Sequence, residues 1–142
     1  MDGNAELKIK KIPTSERAIL GAVLMALRWR RDVKFAHRMN TGATVYAGKD
    51  GRKRFVRYGF PGCSDIIGMM ADGRFLAIET KRRNGEASIE QENFLQNVRD
   101  GGGVAGVCRS VEDVVELLDA AQMFPVAVTV TYGLTEGSDQ CD

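Results

Sequence analysis

Two short stretches carry residues whose types and spacing could do chemistry together: Gly62-Cys63-Ser64-Asp65 and Ile78-Glu79-Thr80-Lys81. Each borders an apolar run, residues 66–70 and 75–78, that reads as a strand. Side chains alternate along a strand, so Glu79 and Lys81 share a face and the Thr80 carbonyl lies between them. The intervening Ala71-Asp72-Gly73 suits a type I turn closed by a glycine in the left-handed conformation. That three-residue hairpin pairs Met70 with Arg74. Counting outward, it sets Asp65 opposite Glu79, with their Cβ atoms about 5 Å apart. A two-residue Asp72-Gly73 turn would instead send the two acids to opposite faces.

Two carboxylates this close repel unless something cationic sits between them. Mg²⁺ suits such a pair, because it takes one or two carboxylates plus waters and substrate phosphate oxygens. A neighbouring lysine can orient or deprotonate an attacking water, or stabilise charge on the phosphate. Metal-assisted phosphodiester hydrolysis needs those parts and no histidine. The plainer reading makes Glu79 and Lys81 a surface pair and Asp65 a turn residue. Against it, the acids end apolar strands, where an unpaired charge is costly.

Composition removes the main competitors. The 142 residues hold one histidine, His37, so neither a two-histidine metal site nor a histidine-rich nuclease site can form within one chain. His37 reads as structural or as a minor DNA contact. A Ser-His-Asp triad has no G-x-S-x-G elbow to use. Cys63, Cys108 and Cys141 are far apart and form no C-x-x-C, which argues against zinc. Lone cysteines point to a reduced, intracellular (cytoplasmic) protein of phage or bacterial type. The longest apolar run, Ala18 to Leu27, is half of the roughly 20 residues that a spanning helix needs. Lys8, Lys10 and Lys11 ahead of it mimic a signal peptide, but Arg28-Trp29-Arg30-Arg31 stands where a cleavage site should be. Gly3 is misplaced for myristoylation.

The net charge of +1 hides an asymmetry. Residues 1–60 hold 14 Lys+Arg against 5 Asp+Glu; residues 61–142 hold 6 against 14. A basic half beside an acidic half fits a polyanion held near a carboxylate-bearing site, or both signs mixed on one folded surface.

The elements that must position these residues follow from punctuation and periodicity. Residues 1–12 read as a basic arm. Pro13-Thr14-Ser15-Glu16 opens a helix running to about Arg31, with Glu16, Ile19, Leu20, Val23 and Leu27 on one face. From Ala18 to Leu27 that helix is apolar on every side, which predicts burial on both sides. Val33 to Met39 reads as a strand. Ala43 to Gly48 and Arg52 to Tyr58 flank Asp50-Gly51 as a hairpin. After the strands 66–70 and 74–81 comes a basic loop. Ser88 then caps a helix ending at Asp100-Gly101. Val104 to Arg109 is a strand, Ser110 caps a helix to about Gln122, Val126 to Tyr132 is a last strand, and 133–142 reads as a disordered tail. The length and this order predict one domain, 1–142, of α/β class.

Taken together, Gly62-Cys63-Ser64-Asp65, Glu79-Thr80-Lys81 and Gln91 resemble the PD-(D/E)XK nuclease superfamily, and more narrowly its virus-type replication-repair nuclease (VRR-NUC) family. Arg38-Met39-Asn40-Thr41-Gly42, Gly59-Phe60-Pro61-Gly62 and the strand from Gly103 to Arg109 match the same pattern, which covers about Ser15 to Leu118. The resemblance implies a restriction-endonuclease-like αβββαβ core, a mixed central sheet flanked by helices, and DNA cleavage dependent on Mg²⁺ or Mn²⁺. By position, it implies that Asp65, Glu79 and the Thr80 carbonyl bind metal and that Lys81 serves the water. Gln91 would support the site and Glu16 would add an outer carboxylate. Ser64 stands where the superfamily has proline. Stand-alone members resemble Holliday-junction resolvases, and the same domain ends the Fanconi-associated nuclease.

Gln91 has a second reading, because Ser88-Ile89-Glu90-Gln91 is a capping box. Its place on the face of Phe94, Leu95 and Val98 points inward and, with the resemblance, favours the site. Glu16 could equally be a first-turn acid meeting the helix dipole. Arg38, Arg52, Lys53, Arg54, Arg57, Arg82 and Arg83 are the candidate phosphate contacts. The whole predicts a Mg²⁺-dependent endonuclease acting on branched DNA as a homodimer. The alternatives are a phage or defence nuclease cutting duplex or flapped DNA, and a non-catalytic nucleic-acid-binding module of the same fold.

Overall fold

The structure, a computed structural model, describes residues 15–123. The arm 1–12, the strand 126–132, the tail 133–142 and Cys141 lie outside the described residues. Within them the order is α1 (Glu16–Trp29), β1 (Val33–Arg38), β2 (Gly42–Ala47), β3 (Lys53–Tyr58), β4 (Ile66–Met70), β5 (Phe75–Thr80), α2 (Ile89–Asp100), β6 (Val104–Cys108) and α3 (Val111–Met123).

The central sheet runs β1-β4-β5-β6. The first two pairings are antiparallel and β5-β6 is parallel, joined by the α2 crossover. This is the expected mixed sheet flanked by helices. The β2-β3 hairpin forms its own two-stranded sheet, inserted between β1 and β4.

β5 is the spine of the molecule, with Leu76 through Thr80 all buried. Leu76 and Ile78 join Ile19, Leu20, Val23 and Leu27 of α1 and Val114 and Leu118 of α3 in the larger core. Ala77 points the other way and packs with Leu95 of α2 and Ala105 of β6. Alternation along one strand thus separates the helical layers. Truncating a fully buried leucine such as Leu27 or Leu95 to alanine should cost about 2–5 kcal/mol.

The β4-β5 register is the one the three-residue hairpin requires. Gly73 N donates to Met70 O at 3.0 Å, Met70 N donates to Arg74 O at 2.8 Å, and Gly73 takes φ +92°. Ile66 then faces Ile78, which carries Asp65 opposite Glu79 at the next step.

Two expectations need correction. The first helix ends at Trp29, short of Arg31. Arg30 turns to extended backbone, and its guanidinium is held by Asp32 at 2.8 Å and by Asp119 of α3 at 2.7 Å. The fifth strand is Phe75–Thr80, one residue shorter at each end than 74–81, and Lys81 N, just past its end, still donates to Cys108 O of β6. The outer side of α1 is left uncovered by this chain's own described residues. Ile19, Leu20, Val23 and Leu27 are buried, whereas Met25 is 64% and Trp29 83% exposed.

Candidate active site

A cleft of about 460 Å³ opens at the end of β5, lined by residues that include Glu16, Arg38, Asp65, Glu79, Lys81 and Gln91. Four elements contribute. The α1 N-terminus, capped by Ser15 Oγ accepting from Ala18 N, brings Glu16. The loop before β4 brings Asp65, the end of β5 brings Glu79, Thr80 and Lys81, and the first turn of α2 brings Gln91.

Glu79 is the buried centre, 1% exposed. Its Oε1 accepts from Gln91 Nε2 at 2.6 Å and from Lys81 Nζ at 2.8 Å. Its Oε2 accepts from Asp65 N at 3.2 Å. The Asp65 Oδ2 accepts in turn from Thr80 N at 2.9 Å and Thr80 Oγ1 at 2.7 Å. The two acids are therefore locked across the strand pair, each accepting from the other's strand. Lys81 Nζ also approaches Glu16 Oε1 at 3.7 Å.

Burial pushes the Glu79 carboxyl above its ordinary range; the Lys81 hydrogen bond pulls it back, and the charge of Asp65 pushes it up again. For Lys81, burial works to lower the pKa, but contact with Glu79, then the charges of Glu16 and Asp65, leaves it raised. Cys63, buried beside the acids, is pushed up by burial first and then by Glu79 and Asp65. Cys108 is pushed up to about 12, chiefly by burial. Both thiols are free.

A divalent cation fits this donor set. Among the described residues no three His, Cys, Asp or Glu side chains converge on one point. Asp65 and Glu79 both line the cleft, and two carboxylates are the small protein share that Mg²⁺ takes when waters and phosphate oxygens complete its shell. The buried Glu79 charge is balanced here by a single ammonium, and its Oε2 keeps a free lone pair.

Both readings of Gln91 hold at once. Its Oε1 accepts from Ser88 N at 2.8 Å, completing the capping box, while its Nε2 donates to Glu79. Glu16 lines the cleft from outside, its side chain 47% exposed. Ser64 is buried, and its Oγ donates to Ile66 O at 3.0 Å.

The candidate phosphate contacts divide. Arg38 lines the cleft from the end of β1. Arg82 and Arg83 are exposed on the loop after Lys81, which Arg109 Nη2 holds by donating to Gly85 O at 2.8 Å. Arg52, Lys53, Arg54 and Arg57 are exposed on the hairpin, outside this cleft. Arg17 and Leu20 also line it and were not anticipated. Leu20, four residues on from Glu16, is legible from the helical period, whereas Arg17, one residue on, is not.

No curated protein is similar enough to the chain to count as a relative. The family model described as the VRR-NUC domain matches residues 20–112. That span runs from α1 through β6 and includes Asp65, Glu79, Lys81 and Gln91. The chain therefore belongs to the VRR-NUC domain family, and this domain is a nuclease domain with DNA as its implied substrate.

Proposed function

We propose that the chain is a metal-dependent endonuclease that hydrolyses DNA phosphodiester bonds at branched structures, in the manner of a junction resolvase. The observation that carries this reading is the buried Glu79, tied to Asp65, Lys81 and Gln91 in one open cleft. A buried ion pair adds little stability over a hydrophobic pair of similar volume, which supports a chemical role for this one.

Asp65, Glu79 and the Thr80 carbonyl would hold the cation, Mg²⁺ or Mn²⁺. When bound, such an ion polarises the phosphoryl oxygen and lowers the pKa of its water. The chain's own residues do the rest. Gln91 fixes the Glu79 carboxylate from α2, and Asp65 is fixed by the Thr80 amide and hydroxyl. Lys81 is a donor with no lone pair while charged, so its role is to orient the water and to stabilise negative charge on the phosphate. Arg38 and the exposed Arg82 and Arg83 supply cations to flanking phosphates.

The exposed Met25 and Trp29 on the outer side of α1 support a symmetric homodimer, in which a second copy covers that face. Two opposed sites then make the paired cuts that a four-way junction requires. Incubation with labelled four-way junction, flap and plain duplex DNA in Mg²⁺ tests the reading. The junction should be cut fastest; equal rates on all three would favour a general duplex nuclease.

A further inference from the structure

A second cleft, of about 430 Å³, lies beside the first. Its walls include Arg57 and Tyr58 at the base of the hairpin, Phe60 and Gly62 on the connecting loop, and Glu90 and Gln91 on α2. Gln91 lines both clefts, so they meet at the residue that grips Glu79. We infer that this second cleft is a subsite for a single unpaired nucleobase of the strand being cut, next to the scissile phosphate.

Four observations carry this. The volume lies within the roughly 300–1,000 Å³ range of sites that take small organic groups. Two aromatic side chains border it and stay accessible, Tyr58 at 37% and Phe60 at 48% exposure. The Phe60 ring is braced edge-on by Phe94 at 5.0 Å between centroids, so it is a rigid platform for stacking. Arg57 adds an exposed cation for the phosphate of the same nucleotide. Aromatic rings interleaved with basic residues are the recurring means of holding unpaired bases.

A base inside a continuous duplex is stacked on its neighbours and cannot reach this cleft. A base at a branch point, flap or bulge can. The subsite therefore supplies the preference for branched DNA, and it rests on the nuclease reading above for the position of the scissile bond.

The test uses three labelled DNAs: a duplex with a one-nucleotide bulge, the same duplex with an abasic residue in the bulge, and the uninterrupted duplex. Binding is read by fluorescence anisotropy and cleavage by gel in Mg²⁺. The wild-type chain should prefer the bulged base over the abasic bulge by roughly 10- to 100-fold, the scale of one stacked base. Tyr58→Ala should erase that preference and Tyr58→Phe should keep it. Phe60→Ala should also erase it, with thermal melting used to check that the loss of the Phe94 contact has not unfolded the domain. Equal handling of base and abasic bulge by the wild type overturns the subsite. So does a Tyr58→Ala variant that weakens all three DNAs alike. If none of the DNAs is cut, the nuclease reading fails, while the anisotropy comparison still decides whether the cleft takes a base.

Discussion

Gln91 donates to Glu79 across 2.6 Å while its other amide atom accepts from the backbone of Ser88. One side chain thus ties the start of α2 to the buried acid at the end of β5. The helix cap and the site cannot be positioned independently.

Two substitutions separate these roles. Ser88→Ala removes the hydroxyl cap and should lower stability by about 1 kcal/mol. It keeps the backbone amide that holds Gln91, so cleavage should stay within about twofold of wild type. Gln91→Ala frees Glu79 and should reduce turnover roughly 10- to 100-fold, the usual cost of losing a residue that orients a metal-binding carboxylate. Urea denaturation and single-turnover rates measure the two effects. Equal losses of activity in both variants would show that the cap alone matters.

Gly62 and Gly73 both have positive φ, but their surroundings differ. A Cβ at Gly73 meets nothing within 4 Å, so Gly73→Ala should cost only the backbone term, about 1–2 kcal/mol. At Gly62 the same Cβ would stand 2.3 Å from the Glu90 carbonyl oxygen. Gly62→Ala should therefore be markedly worse than Gly73→Ala in urea midpoint, because backbone has to move. Equal midpoints would mean that the loop is not packed on α2 as described.

The hairpin presents Arg52, Lys53, Arg54 and Arg57 to solvent, and among the described residues only a 3.9 Å approach of Arg54 to Asp50 competes for them. DNA affinity should fall steeply with salt, each phosphate neutralised adding about −0.9 to the log–log slope. Replacing Arg52, Lys53 and Arg54 by glutamine should flatten that slope. An unchanged slope would move the phosphate contacts to Arg38, Arg82 and Arg83.

Sedimentation equilibrium at micromolar concentration should give twice the monomer mass. Met25→Glu with Trp29→Glu should return the chain to monomers and slow junction cutting more than duplex cutting. A wild-type monomer removes the dimer and leaves a single-cut enzyme.

Much of the site is legible in the amino-acid order because it is built from local rules. Strand alternation and a three-residue loop ending in Gly73 are enough to set Asp65 against Glu79. The periodicity of α2 puts Gln91 on its inward face, and the family resemblance is what favours the site over the cap. What stays hidden is tertiary. Strand propensity marks 43–48 and 52–58, but the partners of an exposed hairpin are set by space, so its separation from the main sheet is not readable. The period of α1 does mark the buried face, Ile19, Leu20, Val23 and Leu27, but an all-apolar helix does not reveal what covers its other side. The second cleft depends on how the loop 59–62 lies against Glu90, a contact between residues about 30 apart. The double use of Gln91 escapes because sequence rules treat cap and site as rivals, whereas an amide has two ends.

The central claim is that Asp65, Glu79 and Lys81 form a metal-dependent hydrolytic site. Its most direct test is cleavage of one labelled four-way junction by the wild type, Asp65→Asn and Lys81→Ala across a Mg²⁺ titration, with excess EDTA as the end point. The account predicts cutting by the wild type in Mg²⁺ and none in EDTA. Asp65→Asn should be inactive at every Mg²⁺ concentration. Lys81→Ala should lose roughly 100-fold or more in rate with its Mg²⁺ midpoint little changed, because its lost contribution is to charge on the phosphate. Full wild-type cutting in EDTA, or undiminished cutting by Asp65→Asn, would contradict it.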